Sequence, residues 1–165
     1  MGLVVANGIK YNVYEGIKTF ATQGTFKAWA IDPNRNDGII NIPNSVNVPF
    51  YCETFLTVLD PLIYCPVSTV DFGNFPLFKA VVNNSFKTDL PLADTQGDSI
   101  SYRMDTCKTS FGNNILGYSM PQGVAVNPTN GKFTISAQQV QGQLGFALRI
   151  NKWRNGVLVS YSILD

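Results

Sequence analysis

Apolar and polar residues alternate with period two over much of this chain, and clusters of Gly, Pro, Asn and Asp interrupt the alternation at short intervals. That pattern predicts half-buried strands joined by turns. Ile9-Lys-Tyr-Asn-Val-Tyr14 and Thr25-Phe-Lys-Ala-Trp-Ala-Ile31 read as the first two strands. Asp32-Pro-Asn-Arg-Asn-Asp-Gly38 is a dense turn cluster, after which Ile39 to Ile42 restarts an extended segment. Pro43 and Pro49 lack ladder donors and keep the next stretch out of a central strand. Phe50 to Leu59 is a long apolar strand of the kind found inside a sandwich, stopped by Asp60-Pro61.

Residues 61 to 76, with Pro61, Pro66 and Pro76, read as a connector. Beyond it, Ala80 to Val82 and Phe86 belong to early strands, and Ser99 to Met104 places Ile100, Tyr102 and Met104 on one face. Gly123 to Val126 and Lys132 to Ile135 flank Asn130-Gly131, a pair that readily supplies the positive φ values of a hairpin turn. Residues 136 to 143 suit a short turn.

The last hairpin is specified residue by residue. A two-residue turn at Asn155-Gly156 sets Trp153 opposite Leu158, Ile150 opposite Tyr161 and Leu148 opposite Ile163. Phe146, Leu148 and Ile150 then share a core face with Val159, Tyr161 and Ile163, while Arg149, Asn151, Trp153, Leu158 and Ser160 face outwards. Regular turn signals without a helical stretch predict an all-β sandwich. The division expected is a partial or small β-domain over 1–61 and a complete sandwich over 66–165. The alternative is a single unit in which the first strands pack on the second part.

Composition narrows the chemistry. Lys and Arg number 12 against 11 Asp and Glu, so no basic face is implied and nucleic acid is not an expected partner. The chain contains no histidine, which removes His-based triads, His metal sites and His acid–base catalysis. No cluster of titratable groups suggests an enzyme, and no run approaches a membrane span. Cys52, Cys65 and Cys107 form no metal-binding spacing. One disulfide, Cys65 to Cys107 or Cys52 to Cys65, suits an exported protein; three small buried hydrophobes are the alternative.

Five residues stand out as candidate contacts. Asp94 and Asp98 bracket Thr-Gln-Gly, and carboxylates four apart across a glycine turn can converge on calcium, with Asp71, Asp89 and Asp105 as further oxygen donors in space. The structural alternative is that both bond the backbone of their own turn. Trp153 near a hairpin tip, and Trp29 out of phase with Phe26, Ala28 and Ala30, are aromatics able to stack on a sugar or anchor a protein. Against that stand a local pair with Leu158 for Trp153 and ordinary inter-sheet packing for Trp29. Arg35, in the Asp32 to Asp37 cluster, could hold an anion or glycan, or tie down loop carbonyls. Glu53 and Asp60 lie seven apart on one strand and point to opposite faces, which excludes a glycosidase-like pair.

Asp94-Thr-Gln-Gly-Asp-Ser-Ile-Ser-Tyr102, then Gly123-Val-Ala-Val-Asn-Pro-Thr-Asn-Gly-Lys-Phe133, then Trp153-Arg-Asn-Gly-Val157 resemble, in that order, immunoglobulin- or cadherin-like repeats. The repeats they are most similar to are those of gliding-motility-associated, adhesin-like exported proteins of Bacteroidetes-type bacteria. Asp32-Pro-Asn-Arg-Asn36, Ile39 to Val48 and Pro49-Phe-Tyr-Cys-Glu-Thr54 look like that family's link between domains, so the resemblance runs from about residue 9. It implies a non-enzymatic module for adhesion or spacing, extracellular or at the cell surface and associated with the outer membrane. Its partners would be other domains of the same protein, or a glycan or protein ligand. Related cadherin-like turns carry a further acidic residue where Gln96 stands here, so one calcium ligand is missing from the pattern. A carbohydrate-binding module using exposed aromatics is the second function expected.

Overall fold

The computed structural model describes residues 3–6, 9–11, 13–60, 62, 64, 66–71, 78–90, 92 and 94–165. Its strands are β1 (Leu3–Ala6), β2 (Ile9–Tyr11), β3 (Gly24–Asp32), β4 (Phe50–Val58), β5 (Phe86–Asp89), β6 (Ser99–Asp105), β7 (Lys108–Thr109), β8 (Asn113–Asn114), β9 (Val124–Val126), β10 (Lys132–Ile135), β11 (Ala147–Arg154) and β12 (Val157–Leu164). All pair antiparallel, and among the described residues there is no α-helix. The fold is an all-β, curled, sandwich-like arrangement.

The larger sheet runs β6-β11-β12-β4, with β7 and β8 continuing beside β4 and β3 pairing along its other side. β4 is interior, as its apolar run predicts, and its pairing with β12 through Leu56, Phe55 and Thr54 places both sides of the expected 61–66 boundary in one sheet. A smaller sheet, β5-β10-β9, lies over one face. Between them Leu148 and Ile150 meet Val70, Leu90, Ile100, Tyr102 and Met104, and Phe133, Ile135 and Val124 meet Phe78, Phe86 and Phe146. The other face of the large sheet has its own cluster at one end, where Ile42, Cys107 and Ile115 pack on Ala147 and Ile163.

The Asn155-Gly156 turn forms as expected, with φ of 51° and 79° and Trp153 opposite Leu158. The rest of the expected register is corrected by a β-bulge. Lys152 faces Ser160, leaving Val159 as an extra residue, so Ile150 faces Ser162 and Leu148 faces Leu164. Because side chains alternate with period two, one added residue turns everything beyond it over. Tyr161 and Ile163 therefore share the outer face with Arg149 and Asn151, while Ser160 and Ser162 lie on the inner face beside Leu148, Ile150 and Lys152.

Other expectations shift locally. Ile39 to Ile42 is not a strand: it turns back on itself through Ile42 N–H donating to Ile39 O, and its one bridge, Ile39 to Gln143, lies outside the named strands. Ala80 to Val82 carries no strand, and Ile9 to Tyr14 is a strand only to Tyr11. The 127–131 connection joins β9 to β10, but only Gly131 has positive φ (70°); Asn127 Oδ1 accepts the Thr129 and Asn130 amides instead. Pro61, Cys65 and Pro76 of the expected connector lie outside the described residues.

Candidate functional site

The inner-face alternation Leu148-x-Ile150-x-Lys152 brings a lysine into phase with core residues, and Lys152 is wholly buried, at 0% exposure. The Asp94–Asp98 turn meets it there. Asp94 Oδ1 is 2.5 Å and Asp98 Oδ2 3.3 Å from Lys152 Nζ, with the two carboxylate side chains 6% and 5% exposed. Lys152 Nζ also donates to Gln96 Oε1 at 2.7 Å and Ser68 Oγ at 3.2 Å. Arg154, two residues on, forms a bidentate pair with Asp98, Nε to Oδ1 and Nη2 to Oδ2, each 2.8 Å. Two cations thus face two carboxylates inside a closed polar cluster.

The turn is also tied to itself. Asp94 Oδ2 accepts the backbone N–H of Gln96 at 3.2 Å and of Asp98 at 2.6 Å, around Gly97 at φ 75°. This is the bonding expected of the structural alternative. Burial works to raise the Asp94 pKa, but the Lys152 and Asp98 hydrogen bonds outweigh it and hold the carboxyl below its ordinary value. Arg154 chiefly, and then Lys152 against the opposing effect of burial, do the same for Asp98.

These residues do not fit calcium. A calcium ion takes six to eight oxygens at 2.3–2.6 Å, and here the lysine ammonium occupies the position between the carboxylates. Among the described residues no group of three or more Asp, Glu, His or Cys could hold a metal. Gln96, where the resembled repeats carry an acid, is the amide that accepts Lys152 and the Ser68 N–H at 3.0 Å and donates to Pro66 O.

Arg35 lies far from that cluster and is also turned inward. Its Nη1 and Nη2 reach the Asp165 carboxylate at 2.6 and 2.5 Å, Nη2 donates to Lys108 O at 2.8 Å, and the guanidinium lies 5.3 Å above the Phe50 ring. The two side chains are 4% and 3% exposed. Both Arg35 and Asp165 nonetheless border a cleft of about 790 Å³ with Phe50, Phe78, Phe146 and Leu164. Arg35 is thus held by Asp165 and by a carbonyl of β7, not by the carbonyls of its own turn cluster.

Trp153 is half-buried on the outer face, its Nε1 donating to Ser101 Oγ at 2.8 Å. It stands opposite Leu158, the local pair expected of it. Trp29 is different: at 56% exposure it does not pack between sheets, which corrects that expectation. It lies in a run of six exposed β3 residues, from Lys27 to Asp32.

The sequence reading missed a second polar network on this outer face. Glu53 Oε1 accepts Tyr161 Oη at 2.5 Å, and Oε2 accepts Tyr51 Oη at 2.7 Å and Lys27 Nζ at 3.1 Å. Arg149 lies 3.7 Å over the Tyr161 ring, which stacks on Phe55. Burial pushes the Glu53 pKa up, but the two phenols and Lys27 together leave it lowered, while burial and Glu53 push Tyr51 up to about 12. The signal that could have found the network is the register of β3 on β4, which sets Lys27 opposite Phe55 and Trp29 opposite Glu53.

Cys52 and Cys107 are free thiols, Cys107 being buried. The expected pairings with Cys65 involve a residue outside the described ones.

Fold and site together define an antiparallel, sandwich-like β fold with two buried ion-pair groups, one around Lys152 and one joining Arg35 to Asp165. No family model matches the chain, and neither a curated protein nor a solved structure is similar to it at a meaningful level.

Proposed function

We propose that the chain is a non-enzymatic module of a larger exported, cell-surface protein, serving adhesion or spacing, in the manner of the immunoglobulin- or cadherin-like repeats its turns resemble. The observation that carries this reading is the closed Lys152 cluster. The groups with most chemical potential, Asp94, Asp98 and Arg35, are spent on internal ion pairs that bridge 58 and 130 positions of sequence. Long-range ion pairs of this kind tie distant parts of the chain together and engage these groups with partners inside the protein. Among the described residues no helix is long and apolar enough to cross a membrane.

Protease added to intact source cells tests the location: loss of the antigen without lysis supports it, and full protection until lysis contradicts it. Coated beads test the activity. Aggregation, or binding to source cells, supports adhesion, and inert beads leave spacing as the role.

Glycan binding is a second reading, favoured by Trp29, whose exposed ring lies in the same face as Lys27 and Glu53. A glycan array probed with the protein and with Trp29→Ala decides it. Hits lost in the variant support the reading, and an array without hits removes it.

A further inference from the structure

The large sheet has two long outer strands, and they differ. On β6 the Tyr102 N–H is taken by Pro128 O at 3.0 Å from the 127–131 connection, so that side is partly capped. On β3 all nine residues from Gly24 to Asp32 are registered with β4, and among the described residues no strand pairs on its other side. Seven of the nine are exposed, including Trp29 at 56% and Ile31 at 38%. Natural edges are commonly blocked by proline, charged side chains such as lysine, a bulge or a covering loop; on β3 the lysine, Lys27, is held by Glu53 Oε2 of the neighbouring strand at 3.1 Å. β3 contains no proline and pairs with β4 without a bulge.

We propose that β3 is a self-pairing edge, on which a second copy of this chain adds its own β3 antiparallel about a two-fold axis through Ala28. The sequence of the strand is complementary to itself in that register. Lys27 of each copy falls opposite Trp29 of the other, Phe26 opposite Ala30, Thr25 opposite Ile31 and Gly24 opposite Asp32. Phe26 meets a small residue, each ammonium meets an indole face, and no like charges oppose. Sliding the centre to Lys27 would oppose two lysines, which is unfavourable. The two large sheets become continuous, and the two-fold symmetry closes at a dimer. A strand pair with one aromatic anchor per copy is smaller than a standard interface, so the association is weak and depends on concentration. This edge geometry stands whether or not the module is adhesive.

Sedimentation across a wide concentration range, combined with hydrogen exchange of the β3 amides, tests it. The expected result is a monomer–dimer equilibrium with β3 amides protected only at high concentration. Trp29→Lys and Ala28→Lys each place like charges across the axis and should weaken the dimer at least about tenfold with unchanged circular dichroism and melting. Leu116→Lys, at an exposed position away from β3, should leave it intact. Three results overturn the proposal: a monomer at every concentration, self-association indifferent to both β3 variants, or β3 amides already protected in the monomer by another segment of the same chain.

Discussion

Lys152 Nζ lies 2.5 Å from Asp94 Oδ1, with the lysine at 0% exposure and the carboxylate at 6%. An ammonium withdrawn from water is tolerated only when matched, and here Asp98, Gln96 and Ser68 complete the shell. The pair joins the turn before β6 to the last residues of β11.

Breaking this pair should be costly. Lys152→Met leaves two buried carboxylates against one guanidinium and is expected to lower the unfolding free energy by about 3–5 kcal/mol, read from urea denaturation at pH 7. Asp94 and Asp98 sit below their ordinary values in the folded state. The stability they add is therefore complete above about pH 5 and lost as pH falls through the depressed folded values. The difference between parent and variant should shrink over that acid range. A difference constant down to pH 2 contradicts the assignment.

Calcium should have no effect. Millimolar calcium is expected to leave the melting temperature unchanged in the parent and in Asp94→Asn, with no heat of binding. A calcium-dependent rise abolished by Asp94→Asn would restore the metal reading.

Gly131 supports the 127–131 connection for two reasons. Its φ is +70°, and a Cβ there would come 2.7 Å from the Tyr102 ring. Gly131→Ala should cost roughly 1–3 kcal/mol. Tyr102→Ala in the same chain should relieve the steric part, so that the double variant loses less than the sum. Strict additivity would show that the backbone conformation alone sets the cost.

Cys107 reports on the Arg35 clasp. Burial, with the nearby Asp165 carboxylate, pushes its thiol up to about 12. A thiol reagent at pH 8 should therefore modify Cys107 only as fast as the protein unfolds, followed by peptide mass spectrometry. Arg35→Ala leaves the Asp165 carboxylate buried without its partner and should raise that labelling rate together with the loss of stability. Rapid labelling of the folded parent contradicts the burial.

The class of fold was legible because alternation, proline placement and Asn-Gly turns are local signals. β4, β6, β10 and the tip of the last hairpin lie where their residues predict. The bulge at Val159 was not, because nothing in Val-Leu-Val-Ser-Tyr marks where an extra residue enters. The bulge turns over β12 alone, setting Ser160 and Ser162 rather than Tyr161 and Ile163 on the face of Leu148, Ile150 and Lys152. The candidate site was half legible. Asp94 and Asp98 could be selected from their spacing, but their partner lies 58 positions from Asp94 and reads in sequence as an ordinary lysine. Gln96 illustrates the same point: it marks an absent calcium ligand in the turn and becomes an acceptor for Lys152 only in space.

Carbon-detected NMR titration of Asp94 and Asp98, with and without calcium, tests the closed cluster most directly. Both carboxyls are expected to titrate below the ordinary aspartate value and to keep the same midpoints when calcium is added. Ordinary midpoints, or resonances that move with calcium, would mean that the turn is open to a ligand and that Lys152 is not its partner.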